Sequence, residues 1–456
     1  MASREINAAA VIDRAPVGGF QWQVMFICLA VAIMDGFDTQ TLSYAAPALV
    51  RDWHIEGAAL GPALSAGVLG MMFGSMIFGP LADRFGRRSM IILCLALFGL
   101  FSFLTPSFTT LPSLIAMRVV TGLGIGGSLP NAVALGVEYF PQRRQAMVAT
   151  YVVCGYTVGA AGGGFVAAAL IPHYGWASVF YAGGLLPVVL IPLALWGLPE
   201  SIRLLILWKS PAEKVARWLA KVDTSVAGAR DAVFVLPETK QPGVTVKHLF
   251  GAGRAVPTLM IWAMYFFCMA AVFLVNTWIP LLLNSAGVAL QRAIFAGAFI
   301  MVGAILGSLV IGPLMDRFSP YRMLALAYLL AAITVLAMML ISATMPFALT
   351  LGILFSVGFM MAFGGIQGAS ALAGLYYPTF IRSTGIGWGF GFGRIGAIAG
   401  TMLGAALIAA HWSFAAIFFM ASPPLLVCCL AVLVMRRRVT ATESAGGSEP
   451  AMYPGE

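Results

Sequence analysis

Charge is what this sequence has least of. Asp, Glu, Lys and Arg make up 9% of its 456 residues, against about 25% in ordinary soluble domains. So few charges cannot coat a water-facing surface. That excludes a soluble enzyme, and it excludes a nucleic-acid binder despite the net charge of +9. Histidine is scarce. His54, His173 and His411 fall near span ends and His248 in a central polar stretch, so no Ser/His/Asp set and no metal-ligand spacing can be assembled. The six cysteines (Cys28, Cys94, Cys154, Cys268, Cys428, Cys429) lie in apolar runs without a CxxC. They read as small buried hydrophobes, which excludes a disulfide-stapled secreted fold. No enzyme activity, metal or organic cofactor is expected. What the chain does have is 61% hydrophobic residues and 51 glycines. At about 20 residues per membrane span, that apolar content allows about a dozen spans, and glycine lets membrane helices pack closely.

Twelve apolar runs follow. The first six are Phe20–Tyr44, Leu60–Leu81, Ser89–Phe108, Pro112–Phe140, Gln145–Pro172 and Trp176–Leu198. The last six are Ala255–Leu283, Gln291–Leu314, Tyr321–Ser342, Pro346–Leu375, Ile381–Ala410 and Trp412–Met435. The first run follows both acids and bases (Arg4, Glu5, Asp13, Arg14) and is too long for a signal-peptide core, so it is a retained span. The expected organisation is an N-terminal six-helix half (1–198), a central loop (199–254), a C-terminal six-helix half (255–435) and a disordered tail (436–456). Basic residues set the orientation. One side carries only Arg51 and Arg292, and the other carries 22 of the 26 Lys and Arg. Both termini and the central loop are therefore expected in the cytoplasm. The remaining two, Arg118 and Arg394, fall inside spans.

The two halves echo each other. Phe73–Phe85 reads FGSMIFGPLADRF and Leu306–Phe318 reads LGSLVIGPLMDRF, and eight of thirteen positions coincide without a gap. Tyr139-Phe140-Pro141 is matched in the same way by Tyr376-Tyr377-Pro378. A six-plus-six parallel repeat with a long linker is transporter architecture, with a site near the bilayer midplane. GPLADRFGRR, Gly79–Arg88, resembles the loop signature of the major facilitator superfamily, and GPLMDRFSPYR sits where that family carries the degenerate copy. The resemblance covers nearly the whole chain. It implies an all-α membrane fold of twelve transmembrane helices in two pseudo-symmetric halves. It also implies a gating role for Gly79, Asp83, Arg84, Arg87, Arg88, Asp316 and Arg317, with charges pairing across the halves. The second copy has lost the second glycine and the paired basics (Ser319-Pro320-Tyr321), so the two gates are expected to differ.

Ionisable residues inside a span cost roughly 3 kcal/mol each and are functional by default. The first span carries Asp35 and Asp38 in IMDGFDTQ, three apart and so on one helix face. Two neighbouring carboxylates repel, which favours holding a proton. Arg118 lies about 30 Å from the inner end of the fourth span and Asp38 about 27 Å up the first, so the two can meet. Permanent structural ion pairing is the competing explanation. Arg394 stands about 18 Å into the eleventh span, near the midplane, in a half whose sole acid is Asp316. A guanidinium forks onto a carboxylate, so a substrate anion is expected there; backbone carbonyls or Asp35 are the alternatives. Phe37, Trp278, Trp388, Phe390 and Phe392 supply rings for stacking, and Asn276 and Gln367 supply hydroxyl partners. Aromatics make up 12% of the chain, so any one of them can equally be packing.

DGFDT, the arginine of the fourth span, Glu138 at that span's end and the arginine of the eleventh together resemble the aromatic acid:proton symporter family. Its members import benzoate-type acids. The resemblance implies proton coupling through Asp35, Asp38, Arg118 and Glu138, substrate binding at Arg394, and functional weight on Asp83. The expected protein is a monomeric, proton-driven importer of a small aromatic carboxylate in the bacterial inner membrane, with the proton as coupling ion and lipid as its surroundings. Another organic anion, such as a dicarboxylate or a non-aromatic ring acid, shares every charge argument. A drug or acid exporter is disfavoured because GYTVGAAGGG in the fifth span lacks a Gly-Pro pair. A ligand-sensing receptor would bind without moving protons.

Overall fold

The computed structural model describes residues 5–226, 232–235, 246–251, 253–342, 344–377 and 379–445. The N-terminal part runs β1 (Glu5–Asn7), α1 (Ala8–Arg14), α2 (Gly19–Trp53), α3 (Gly61–Phe85), α4 (Arg87–Leu104), α5 (Leu111–Glu138), α6 (Gln142–Tyr174) and α7 (Ala177–Gly197). The linker holds α8 (Ile202–Leu207), α9 (Ala212–Leu219), β2 (Val233–Val235) and α10 (Lys247–Phe250). Then come α11 (Ala255–Ser285), α12 (Leu290–Arg317), α13 (Pro320–Ala337), α14 (Phe347–Phe363), α15 (Ile366–Tyr376), α16 (Thr379–Ala409), α17 (Phe414–Phe419) and α18 (Ser422–Ala445). Among the described residues, twelve helical stretches are long and apolar enough to cross a membrane. They fall on the twelve apolar runs. The tenth, Phe347–Tyr376, is broken at Gly364-Gly365, and the twelfth joins α17 to α18. The chain is a multi-pass membrane protein.

Two compact units form: Met1–Lys240 with Thr277–Val302, and Gln241–Asn276 with Gly303–Glu456. The end of α11 and the start of α12 thus pack with the first six spans. Ser43 Oγ donates to the Thr277 carbonyl, and the Phe165 and Phe295 ring centroids are 5.2 Å apart.

The sequence repeat reappears as packing. A Cβ on Gly70 or Gly74 of α3 would run into the Val119 or Leu123 carbonyl of α5. Their counterparts in the register of the repeat, Gly303 and Gly307 of α12, would run into the Phe355 and Phe359 carbonyls of α14. In each unit one helix lays a glycine seam directly on its neighbour's backbone. This is how membrane helices gain close contact where lipid gives no hydrophobic drive.

The linker is not a plain loop. β1 pairs in parallel with β2, Glu5 opposite Val233 and Asn7 opposite Val235. Ile6, Ala8 and Ile12 are buried with Val215, Leu219 and Phe234 in one core that continues into Val24 and Ile27 of α2. Asp13 Oδ1 accepts from the Gln142 N–H at 2.7 Å, capping the start of α6. The linker reads as a polar loop in sequence, yet every fourth residue or so is apolar (Val215, Leu219, Val222), enough for a short amphipathic helix to dock. The tail also differs from expectation: α18 continues through Ala445. The disorder expected of residues 446–456 lies outside the described residues.

Candidate functional site

In the first unit the site is built from α2, α4 and α5. Asp35 and Asp38 are both fully buried. Between them Gly36 seats α2 directly on α6, where a Cβ would strike the Tyr156 carbonyl. Arg118 Nη2 donates to Asp38 Oδ2 at 2.7 Å, and the two side chains are 4% and 0% exposed. Ser102 Oγ of α4 donates to Asp38 Oδ1. The other nitrogen, Arg118 Nη1, is buried without a hydrogen-bond partner among the described residues. The guanidinium carbon sits 5.7 Å from the Phe180 ring centroid, a cation–π contact that a desolvated arginine favours. Asp35 meets Ser128 instead: Ser128 Oγ lies 2.7 and 2.6 Å from the two carboxylate oxygens and 2.9 Å from the Ile125 carbonyl. The two acids thus share a helix face and address α5 at two separate points, Ser128 and Arg118.

Glu138 is not with them. Arg87 Nη1 donates to Glu138 Oε2 at 2.9 Å. Ser201 Oγ lies 2.8 Å from both Glu138 oxygens, and the Arg203 N–H is 2.6 Å from Oε1. Glu200 alongside accepts from the Ser201 and Arg88 N–H groups, and Arg88 Nη2 donates to the Leu195 carbonyl. Tyr139 seals the cluster, donating to the Glu200 carbonyl at 2.6 Å. Burial, with Glu138 and Glu200 nearby, pushes its hydroxyl well above the usual tyrosine range, so it stays a neutral donor. Arg87 and Arg88 both find partners within their own unit, where the linker folds back and brings Glu200 and Ser201 beside the α3–α4 loop. Asp83 is exposed and makes no hydrogen bond or ion pair among the described residues. Arg84 lies over the Phe85 ring at 5.4 Å. A Cβ on Gly79 would meet open space. Arg317 is exposed at the end of α12, and the Asp316 side chain lies outside the described residues.

The proposed ring-binding aromatics separate. Phe37 is 5% exposed, its ring against Gly163 and Gly183, which is a packing position. Trp278 is fully buried in the first unit. In the second unit Trp262 stacks on Phe392 at 4.3 Å and on Trp388 at 6.0 Å. With 3.6 residues per helical turn, Trp388 and Phe392 share one face of α16 while Arg394 points well away from it. Phe390, Gly391 and Gly387 share Arg394's face instead. Arg394 is half-buried, as are Asn276 and Gln367, and Gly387 and Gly391 leave open space beside them. Sequence reasoning missed Ser102, Ser128 and Ser201. Ser102 and Ser128 lie in spans and Ser201 caps α8 in the linker; serine is common in both settings, and only a position opposite a buried acid distinguishes these three.

The family described as Major Facilitator Superfamily matches residues 28–369. The chain belongs to the major facilitator superfamily, a family of membrane transporters, and its twelve-span fold is the fold of that family. The 4-hydroxybenzoate transporter PcaK of Pseudomonas aeruginosa is 38% identical over 91% of this chain and 92% of its own length. The gallate transporter of Pseudomonas putida is 36% identical over 87% and 88%, and the benzoate transport protein of Acinetobacter baylyi is 33% identical over 88% and 86%. Among solved structures, a D-xylose-proton symporter superposes with a TM-score of 0.68 at 14% identity, covering 91% of this chain and 97% of that one. It is similar in fold alone.

Proposed function

We propose that this protein is a proton-coupled symporter that imports a small aromatic carboxylate across the bacterial inner membrane by alternating access, with both termini in the cytoplasm. The observation that carries the reading is the buried Asp38–Arg118 pair at 2.7 Å, one helical turn from a second buried acid, Asp35. Relatives that transport 4-hydroxybenzoate, gallate and benzoate support the substrate class.

The chemistry follows from the contacts. Away from water, an ion pair is held strongly and each member is costly to leave alone. Protonating Asp38 removes the charge that holds Arg118 and frees the guanidinium to reorient. Protonating Asp35 leaves a neutral acid that tolerates a dry environment. Each acid thus ties a proton to a helix contact, as coupling requires. Arg394 takes the substrate carboxylate, and the open strip along Gly387 and Gly391 on its face lets a flat ring lie near the helix backbone. Trp388 and Phe392, stacked on Trp262, shape the other side of that helix. The Glu138–Arg87 cluster holds the α3–α4 loop to the linker and serves gating, with the proton work left to the acids of α2.

The test is uptake of labelled 4-hydroxybenzoate, benzoate and gallate into proteoliposomes with and without an inward proton gradient. Gradient-driven accumulation of at least one of these acids is expected. Accumulation that ignores the gradient overturns the coupling, and transport of none of the acids overturns the substrate class.

A further inference from the structure

We propose that Ser128 is the partner through which Asp35 takes up and releases its proton, a hydroxyl that reverses its hydrogen-bond direction when the acid changes state. The inference rests on the proposed proton coupling and adds to it a residue outside the charged set.

Three oxygen atoms surround Ser128 Oγ: Asp35 Oδ1 at 2.7 Å, Asp35 Oδ2 at 2.6 Å and the Ile125 carbonyl at 2.9 Å. A serine hydroxyl has one hydrogen to give and can also accept. With Asp35 ionised, that hydrogen turns to the carboxylate, and the contact to Ile125 carries no hydrogen. With Asp35 protonated, the acid O–H donates to Ser128 Oγ, and the serine hydrogen turns to the Ile125 carbonyl. Around the serine, two hydrogen bonds then stand where there was one. No atom beyond the incoming proton is gained or lost: it ends on a carboxylate oxygen, and the serine keeps its own hydrogen throughout. The reversal needs only a rotation about the Cβ–Oγ bond.

The acid one turn along also carries an ion pair. Arg118 can only donate, so a proton on Asp38 belongs on Oδ1, beside Ser102 Oγ, and it weakens the bond that Oδ2 accepts from Arg118. Ser128 therefore lets Asp35 load a proton with the Asp38–Arg118 pair still closed. It also ties that event to α5, the helix that carries Arg118.

The test uses the full-length protein in proteoliposomes with labelled 4-hydroxybenzoate, comparing gradient-driven accumulation with exchange at equal pH for the parent, Ser128→Ala and Ser128→Thr. Losing a hydrogen bond to a charged group should lower accumulation about tenfold more than exchange in Ser128→Ala, with Ser128→Thr, which keeps the hydroxyl, restoring most of the difference. Parent-like accumulation in Ser128→Ala overturns the proposal. So does an equal loss of accumulation and exchange without rescue by threonine, which marks a packing role. If the parent itself ignores the gradient, the proton-coupled reading fails first and this inference falls with it; a coupled parent beside an unaffected Ser128→Ala sinks the inference alone.

Discussion

The two units carry charge in different amounts and different surroundings. In the first, Asp35, Asp38, Arg118, Glu138, Arg87 and Glu200 all have hydrogen-bonding or ionic partners on neighbouring helices or the linker. In the second, the spans hold Arg394 and, by sequence, one acid, Asp316, while Trp388 and Phe392 stack on Trp262 along one face of α16 and Gly387 and Gly391 lie open along another. The packing scaffold is nonetheless the same, with the glycine seam of Gly70 and Gly74 repeated at Gly303 and Gly307. The repeat thus supplies the frame, and the difference lies in what each half hangs on it, which the proposed function reads as proton chemistry in one and anion recognition in the other.

The sharpest way to break that contrast is at the buried pair. Asp38→Asn or Arg118→Ala leaves a charge uncompensated, so each should cost about 3–5 kcal/mol of stability and abolish accumulation. Combining Asp38→Asn with Arg118→Gln should recover much of the thermal stability in detergent without recovering transport. The next effect belongs to the second unit. Arg394→Ala should weaken 4-hydroxybenzoate binding about a hundredfold, roughly two to three kcal/mol for a charge-assisted bond, and Arg394→Lys about tenfold, since lysine keeps the charge and loses the fork. Titration calorimetry against the acid and its amide checks this: the acid–amide difference should narrow in Arg394→Ala.

Two smaller effects probe the shared frame. Gly74→Val and Gly307→Val should destabilise by similar amounts, about 1–3 kcal/mol each, because both force a side chain onto a facing carbonyl. Very unequal melting shifts would mean that the repeat is one of sequence only. Arg87→Ala should slow turnover while leaving the binding constant within about threefold, a change below about 1 kcal/mol. Transport rate measured beside binding separates the two.

Much of this was readable in the chain itself. The spans were, because about 20 apolar residues in a row have few other fates. The Asp38–Arg118 meeting was, because the constant helical rise per residue puts the two at equal depths on their helices. Other features were not. The pairing of β1 with β2 joins the start of the chain to the far end of the linker, and no local pattern in three residues announces a strand. Glu138 sits at the end of α5, where depth alone does not say whether it turns to the acids or to Arg87. The linker's fold-back decides, and that depends on Ser201 capping α8 while its hydroxyl holds Glu138. Trp388 and Phe392 lie close to Arg394 in sequence but on another face, a distinction that helical phase reveals once the boundaries of α16 are known.

The division of labour is tested most directly by Asp35→Asn in proteoliposomes, with proton entry and labelled 4-hydroxybenzoate flux followed together. The account predicts substrate exchange at equal pH without substrate-driven proton entry and without accumulation against a gradient. Parent-like proton entry and full accumulation in that variant would contradict it.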